Sequence, residues 1–375
     1  MFNNTSQSRF DGRYRAELQP LLVEFYKNFA KPKPAPKLDE LRTVVKKILN
    51  RVREKDARFH CEVHDVGSVA SGLSAVVACE FDILLCVDIP GSDEESALSP
   101  GYARFKLTAS SARTWSDVRT GGYLNPRKIT DLFQRHVDEV VSSMRGHLHG
   151  SYCVGGQSTV ATTVSTKENG FKHKADLVLA VKCVGWPSSA NPDIPQDAYD
   201  KRWPSAEAIS RIKANGYELV AKYVNESTPG IGDTGPDVEL LWRLSVSRAE
   251  TLLLKTIDAD GPELRLCHKE CLIIFKALRL HHLVTTSRGV PSADMTILLT
   301  SYHLKTLLLH QTQTHPNNYQ WTDDKLAERF ISFIDTIFWR VSFEDLSPFF
   351  FPKINLFKNR GIMFGGLWKK LIIKL

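Results

Sequence analysis

No uninterrupted apolar run in this 375-residue chain approaches the roughly 18 to 20 residues that a bilayer-spanning helix requires. No positively charged, apolar, small-residue leader opens the sequence either, and a cytoplasmic protein is expected. Cysteine is sparse: Cys61, Cys79, Cys86, Cys153, Cys183, Cys267 and Cys271 are odd in number, scattered and mostly set among apolar strand-like residues. That usage argues against a disulfide framework and suits reduced core thiols, so the Asn-x-Ser/Thr matches at Asn4 and Asn225 carry little weight. Internal repeats and extended low-complexity tracts are missing. The chain has no acidic excess: 49 Lys and Arg against 42 Asp and Glu leave a formal charge of +7, a moderate excess that suits a polyanionic partner.

With 42% hydrophobic residues, the chain can bury one large core or two medium ones, and two lobes are expected. The Pro-rich "KPKPAPK" leads into a stretch in which Leu38, Leu41, Val44, Val45, Ile48, Leu49 and Val52 recur at helical spacing. Around that stripe the cations Lys31, Lys33, Lys37, Arg42, Lys46, Lys47, Arg51, Arg53, Lys55 and Arg58 outnumber the acids. The pattern is an amphipathic helix with a basic outer face, either an ordinary solvated surface or a ridge that tracks phosphates. Further on come a polar stretch, "PGSDEESALSPG", read as a surface turn, a helix near "PRKITDLFQRHVDEVVSSMRGHL", and the strand-like "ADLVLAVKCVGWP". The Pro-rich loop from Gly185 to Ser205 suggests a lobe boundary, dividing the chain into 1–190 and 191–375. Beyond it, "LWRLSVSRAETLLLKTI", "CLIIFKALRLHHLV", "ADMTILLTSYHLKTLLLHQTQ" and "DKLAERFISFIDTIFWRV" show helical apolar periodicity. The expected fold class is α+β: a mixed α/β lobe with a long N-terminal helix, then an all-helical lobe.

Within "GSVASGLSAVVACEFDILLCVDIP" two carboxylates, Glu80 and Asp82, interrupt an otherwise apolar run. Alternate residues of a strand share a face about 6.5 to 7 Å apart, so the two acids lie together with Phe81 opposite. By itself an acid-x-acid pair is most often a strand's solvent face. Carboxylates held that close repel each other, and a hard divalent ion with oxygen ligands relieves the repulsion. Asp176 opens "ADLVLAV", again an acid at the edge of an apolar strand, and a neighbouring strand would bring it beside the first two. Such a triad would hold two metal ions roughly 3.5 to 4 Å apart. Upstream, Gly67-Ser68 offers backbone N–H groups and a hydroxyl to phosphates, although the loop lacks the Gly-Lys-Ser/Thr ending of a Walker loop. Gly-Ser, a spaced acid-x-acid strand and a distant third acid form the pattern of the nucleotidyltransferase superfamily.

Several separated blocks, "GS" before "EFD", "ADLVLAVKCVGWP", "LWRLSVSRAE", "CLIIFK", "TSYHLKT" and "QWTDDKLAERF" leading to "PFFFPKINLF", resemble in order and approximate spacing the cyclic GMP-AMP synthases and their receptor-like and male-abnormal relatives. The resemblance covers most of the chain. It implies a two-lobed nucleotidyltransferase fold with a long N-terminal spine helix. It also implies that Glu80, Asp82 and Asp176 bind magnesium or manganese, with Asp176 near the acceptor as a general base. Ser68 and Lys276 would contact the donor triphosphate, and Arg243, Ser245, Ser247 and Glu250 would read bases or bind nucleotide and metal. Tyr302 would stack on a base, with Ser301 and Lys305 lining the same phosphate pocket. The implied activity is synthesis of a cyclic dinucleotide from ATP and GTP in antiviral innate immunity, with "SVASGLSAVVA" as an activation loop. A catalytically inactive scaffold of the same fold and a polymerase adding nucleotides to RNA ends are the alternatives.

Departures from the family pattern bear on the activator. The vertebrate DNA-sensing enzyme binds structural zinc through one His and three Cys at the corresponding place, whereas "TLLLKTIDADGPELRLCHKECL" supplies Cys267, His268 and Cys271 alone. A tetrahedral site needs four ligands, so no structural zinc is expected and double-stranded RNA is favoured over DNA as activator. A dimer formed on the nucleic acid is left open. Thr300 stands in place of a serine in the tyrosine block, and the C-terminal "KNRGIMFGGLWKKLIIKL" is read as a packed or frayed terminus.

Overall fold

The computed structural model describes residues 12–33, 35–75, 80–144, 152–154, 161–168, 171–190, 203–222, 224, 228, 230–259, 266–286 and 299–357. The readings made on residues 76–79, on most of the Pro-rich loop and on the C-terminal tail from 358 lie outside them. Helix α1 (Gly12–Phe25) runs through a π-helical turn at Tyr26–Ala30 toward α2 (Pro36–Lys55). Pro36 occupies the first turn of α2, where a missing N–H costs nothing. Leu38, Leu41, Val44, Val45, Ile48 and Val52 are buried in the main core, as the apolar spacing predicts. Each such aliphatic side chain contributes about 1.5 to 3 kcal/mol on burial.

The sheet has eleven strands among the described residues. They are β1 (Cys61–Val66), β2 (Glu80–Val87), β3 (Gly91–Glu95), β4 (Tyr102–Leu107), β5 (Arg119–Thr120), β6 (Tyr123–Leu124), β7 (Tyr152–Val154), β8 (Thr162–Glu168), β9 (Phe171–Cys183), β10 (Tyr217–Val220) and β11 (Leu241–Ser245). The central order is β1-β2-β9-β10-β11-β4-β6-β5, with β3 on β4 and β7 on β8. Strand β9 is long enough to carry β2 along one edge and, on the other, β8 followed by β10. On one sheet face Phe81, Ile83, Leu85 and Val87 join Ala175, Leu177, Leu179 and Val181 in the main core. That core is shared with α2 and with α5 (Pro126–Ser143), which buries Ile129, Phe133 and Val137. On the other face a smaller cluster of Val66, Leu84, Cys86, Ala180 and Val220, with Val178 packed against it, fills the sheet. Strand β2 is therefore apolar on both sides except at its N-terminal end.

Two stretches fold differently from the sequence reading. "PGSDEES" is no turn: Gly91–Glu95 pairs antiparallel with β4, and its polar residues are tolerated because an outlying strand keeps one side in water. Of "LWRLSVSRAETLLLKTI", read as helical, the first five residues are β11, and helix α7 (Ser247–Ala259) starts only after Val246. Short apolar runs do not separate strand from helix by periodicity, and here pairing with β10 and β4 decides for strand. The sheet thus takes in Tyr217–Val220 and Leu241–Ser245, beyond the Pro-rich loop that suggests a boundary at 190.

The remaining described helices include α3 (Gly67–Ala70), α4 (Ala109–Thr114), α6 (Ala206–Ala214) and the three long helices of the C-terminal lobe: α8 (His268–Thr286), α9 (Ser301–Thr314) and α10 (Leu326–Ser342). Leu272, Ile274, Leu304, Leu307, Leu308, Phe330 and Phe333 supply that lobe's interior. Helix α1 packs on α10, and Gln19 ties the two: its Nε2 donates to the Asp323 carbonyl at 2.5 Å and its Oε1 accepts from the Ala327 N–H at 2.7 Å. The chain's N-terminal segment is in this way anchored to the helical lobe before it enters the sheet lobe as α2. No described helix is long and apolar enough to cross a membrane.

Candidate active site

Parallel pairing of β2 with β9 sets Glu80 opposite Lys174 and Asp82 opposite Asp176. Because side chains alternate, Glu80, Asp82 and Asp176 all stand on the face carrying the small apolar cluster, at the end where it stops. Burial pushes the Asp82 carboxyl up to about 6, and the charges of Asp176 and then Glu80 push in the same direction. Three carboxylates without sulfur or imidazole among them suit a hard divalent cation, and the Asp82 carboxyl stays elevated against the opposing charge of Lys305. Asp176 Oδ1 accepts a 2.6 Å hydrogen bond from Thr163 Oγ1 on the adjoining strand β8, where Thr163 is the register partner of Asp176. Among the described residues no three His, Cys, Asp or Glu side chains are already gathered into a metal cage.

Gly67-Ser68 follows immediately on β1, whose last residue, Val66, pairs with Asp82. Gly67 has φ +77° and lies against that carboxylate: a Cβ there would fall 2.0 Å from Asp82 Oδ2. Positive φ and the absent side chain are both required. After α3 the chain turns back, with the Leu73 N–H donating to the Ser68 carbonyl at 2.8 Å and Ser71 Oγ donating to the Gly67 carbonyl at 2.8 Å.

The helical lobe faces this turn with cations. Lys276 is buried, and its Nζ donates to the Leu73 carbonyl at 2.8 Å. Burial, then the charges of Arg279 and Lys305, brings its ammonium down to about 8. Tyr302 is 37% exposed as a residue, and its hydroxyl donates to Glu250 Oε1 at 3.2 Å. Glu250 is buried and its other oxygen is paired with Lys305, whose Nζ stands 5.1 Å from the Tyr302 ring centre. Glu250 is thus an anchor that orients an aromatic face and a cation. Ser301 begins α9, exposed, behind the cap made by Thr300, whose Oγ1 accepts from the His303 N–H; the threonine retains the hydroxyl that the position uses. Arg243 is half-buried on β11, and Ser245 Oγ donates to Ser247 Oγ at 3.2 Å where that strand passes into α7.

Sequence reasoning passed over Thr163 and Arg248. Arg248 secures the first turn of α7: its Nε pairs with the fully buried Glu218, its second guanidinium nitrogen donates to the Asn215 carbonyl at 2.7 Å, and its remaining one meets His64 Nε2 at 3.2 Å. Burial raises the Glu218 carboxyl to about 7 against the opposing pull of Arg248. An arginine between two serines and a glutamate in "SVSRAE" was the available signal. Cys267 and Cys271 are wholly buried, and His268 lies stacked on Trp321 with ring centres 3.9 Å apart. Burial drives that imidazole down to about 3, the environment of a core residue.

The basic ridge is partly neutralised. Lys37 pairs with Glu40, Arg42 with Asp65, Arg51 with Glu54, Lys55 with Glu139, and Arg58 with Asp56 and Asp117. Lys46, Lys47 and Arg53 are exposed and have no ion-pair partner among the described residues.

Residues 69–256 match the Mab-21 protein nucleotidyltransferase domain, and residues 267–361 match the Mab-21 protein HhH/H2TH-like domain. The first match spans half of the chain and the second covers its helical lobe. On these two matches the chain belongs to the Mab-21 family, as a nucleotidyltransferase domain followed by the family's C-terminal helical domain.

Proposed function

We propose that this nucleotidyltransferase is metal-dependent and joins ATP and GTP into a cyclic dinucleotide when double-stranded RNA docks on α2. The observation that carries the reading is the juxtaposition of Asp82 and Asp176 in register, with Glu80 on the same face and Gly67-Ser68 against Asp82. Glu80, Asp82 and Asp176 would hold magnesium or manganese, which when bound lowers the pKa of an attacking hydroxyl and offsets charge on the leaving pyrophosphate. The chain's own residues account for the rest. Lys276, with Arg279 and Lys305 near enough to depress its pKa, makes the helical-lobe side a cationic wall suited to a triphosphate. Ser68 would add a hydroxyl to the same phosphates. Tyr302, anchored through Glu250, offers an exposed face for base stacking, an interaction worth about 1 to 3 kcal/mol. Arg243 would present its planar donor fork to a purine edge, with Ser245 and Ser247 beside it. Asp176, hydrogen-bonded by Thr163, would orient and deprotonate the acceptor hydroxyl.

The test incubates purified protein with labelled ATP and GTP plus magnesium or manganese, in parallel without nucleic acid, with double-stranded RNA and with double-stranded DNA. A phosphatase-resistant dinucleotide in the RNA arm is the expected result. Product with DNA alone would overturn the choice of activator, and label appearing on the RNA would indicate end-polymerisation. Absence of product in all three arms, with nucleotide still bound, would favour the scaffold.

A further inference from the structure

We infer that Thr163 is a positioning residue for divalent-metal binding at Asp176, an inference that rests on reading the three acids as the metal site. Asp176 is flanked on both edges of β9. Asp82 is its register partner on β2, and Thr163 is its register partner on β8. The hydroxyl of Thr163 donates to Asp176 Oδ1 at 2.6 Å, which draws that oxygen toward β8 and leaves Oδ2 for the side on which Asp82 stands. Two like charges in adjacent register positions repel, and without this bond the Asp176 side chain would turn away from Asp82. The bond therefore supplies an orientation that metal binding needs and charge repulsion opposes.

Strand geometry makes the arrangement specific to one hydroxyl. Thr162, the next residue back, lies on the opposite face and is almost completely buried, and alternation leaves Thr163 as the threonine of "ATTVST" directly across from Asp176. A β-branched residue at this place is stiff about χ1, so its hydroxyl is held in a narrow range of directions. Groups that hydrogen-bond a ligating carboxylate typically change metal affinity about 10- to 100-fold when removed. An ordinary cross-strand Thr–Asp pair that merely stabilises the hairpin would leave metal affinity unchanged.

The experiment titrates Mn2+ into wild-type protein, Thr163→Val, Thr163→Ser and Asp176→Asn, and reads free Mn2+ by its electron paramagnetic resonance signal. Melting temperatures are recorded without metal. Thr163→Val keeps the size and β-branching but loses the donor. It is expected to weaken Mn2+ binding by about 10-fold or more with little change in melting temperature, while Thr163→Ser restores binding to within about threefold. Where turnover is measurable, the Mn2+ concentration for half-maximal rate should rise in Thr163→Val, with kcat recovering at saturating metal. Equal Mn2+ affinity in wild type and Thr163→Val overturns the inference and leaves the metal site standing. Wild-type protein that binds no Mn2+, or whose binding survives Asp176→Asn, overturns both. If Thr163→Val does not fold, Thr163→Ala removes the same donor without adding a methyl group, and the same comparison decides.

Discussion

Asp82→Asn is expected to make the metal-free protein more stable and to stop synthesis. The carboxyl of Asp82 has a folded-state value of about 6 against 3.8 in the unfolded chain, because burial and its acidic neighbours disfavour its charge. A raised carboxyl pKa means that folding is penalised once the group ionises. The penalty is absent below about pH 4, grows between about pH 4 and pH 6, and is complete above. Asparagine keeps the shape and removes the charge, and should raise stability by roughly 1 to 3 kcal/mol at pH 7.5 and by little at pH 4. Thermal melts of both proteins at the two pH values check this. Magnesium or manganese should stabilise the wild type and leave the variant largely unaffected, since a ligand protects only the state that binds it. Turnover should fall by about 10²- to 10³-fold or more, the scale of removing a group that acts on developing charge. A variant less stable than wild type at pH 7.5 would mean that the opposing charge of Lys305 outweighs burial and the acidic neighbours.

Lys46, Lys47 and Arg53 replaced together by alanine should remove most activation by duplex RNA while leaving the fold and nucleotide binding intact. These three cations have no described ion-pair partner, whereas their neighbours on α2 are largely committed to acids of the same helix, of β1 and of α5. A cation that neutralises one phosphate contributes about 0.9 to the slope of log affinity against log salt for a B-form duplex, so the slope should drop by roughly 2 to 3 in the triple variant. At physiological salt that corresponds to about a 10²-fold weaker affinity. Binding isotherms between about 50 and 200 mM salt measure it. An unchanged slope would move the nucleic-acid surface away from α2.

Much of the site could be read from residues because local rules governed them. Alternation placed Glu80 and Asp82 on one face, and an apolar run after Asp176 marked a second strand. Helical spacing named the α2 stripe correctly, with Leu49 the one member that is only partly buried. The register of Asp82 with Asp176 could not be read, since it depends on pairing between segments more than 90 positions apart. Thr163 stayed invisible for the same reason: one threonine among several becomes significant only when β8 folds back on β9. Strand β11 reads as helix because five residues with three apolar ones fit either period, and β3 reads as a turn because an outlying strand can be polar throughout. Arg248, lying between recognised positions, acquires its meaning from three partners in separate parts of the sheet lobe.

The central claim, that Glu80, Asp82 and Asp176 form a divalent-metal site serving a nucleoside triphosphate, is tested most directly by anomalous scattering from crystals grown with manganese and a non-hydrolysable ATP analogue. Manganese peaks between the three carboxylates, two of them about 3.5 to 4 Å apart, with the triphosphate reaching Ser68 and Lys276, are the expected result. A bound triphosphate with no manganese at the acids would contradict the account.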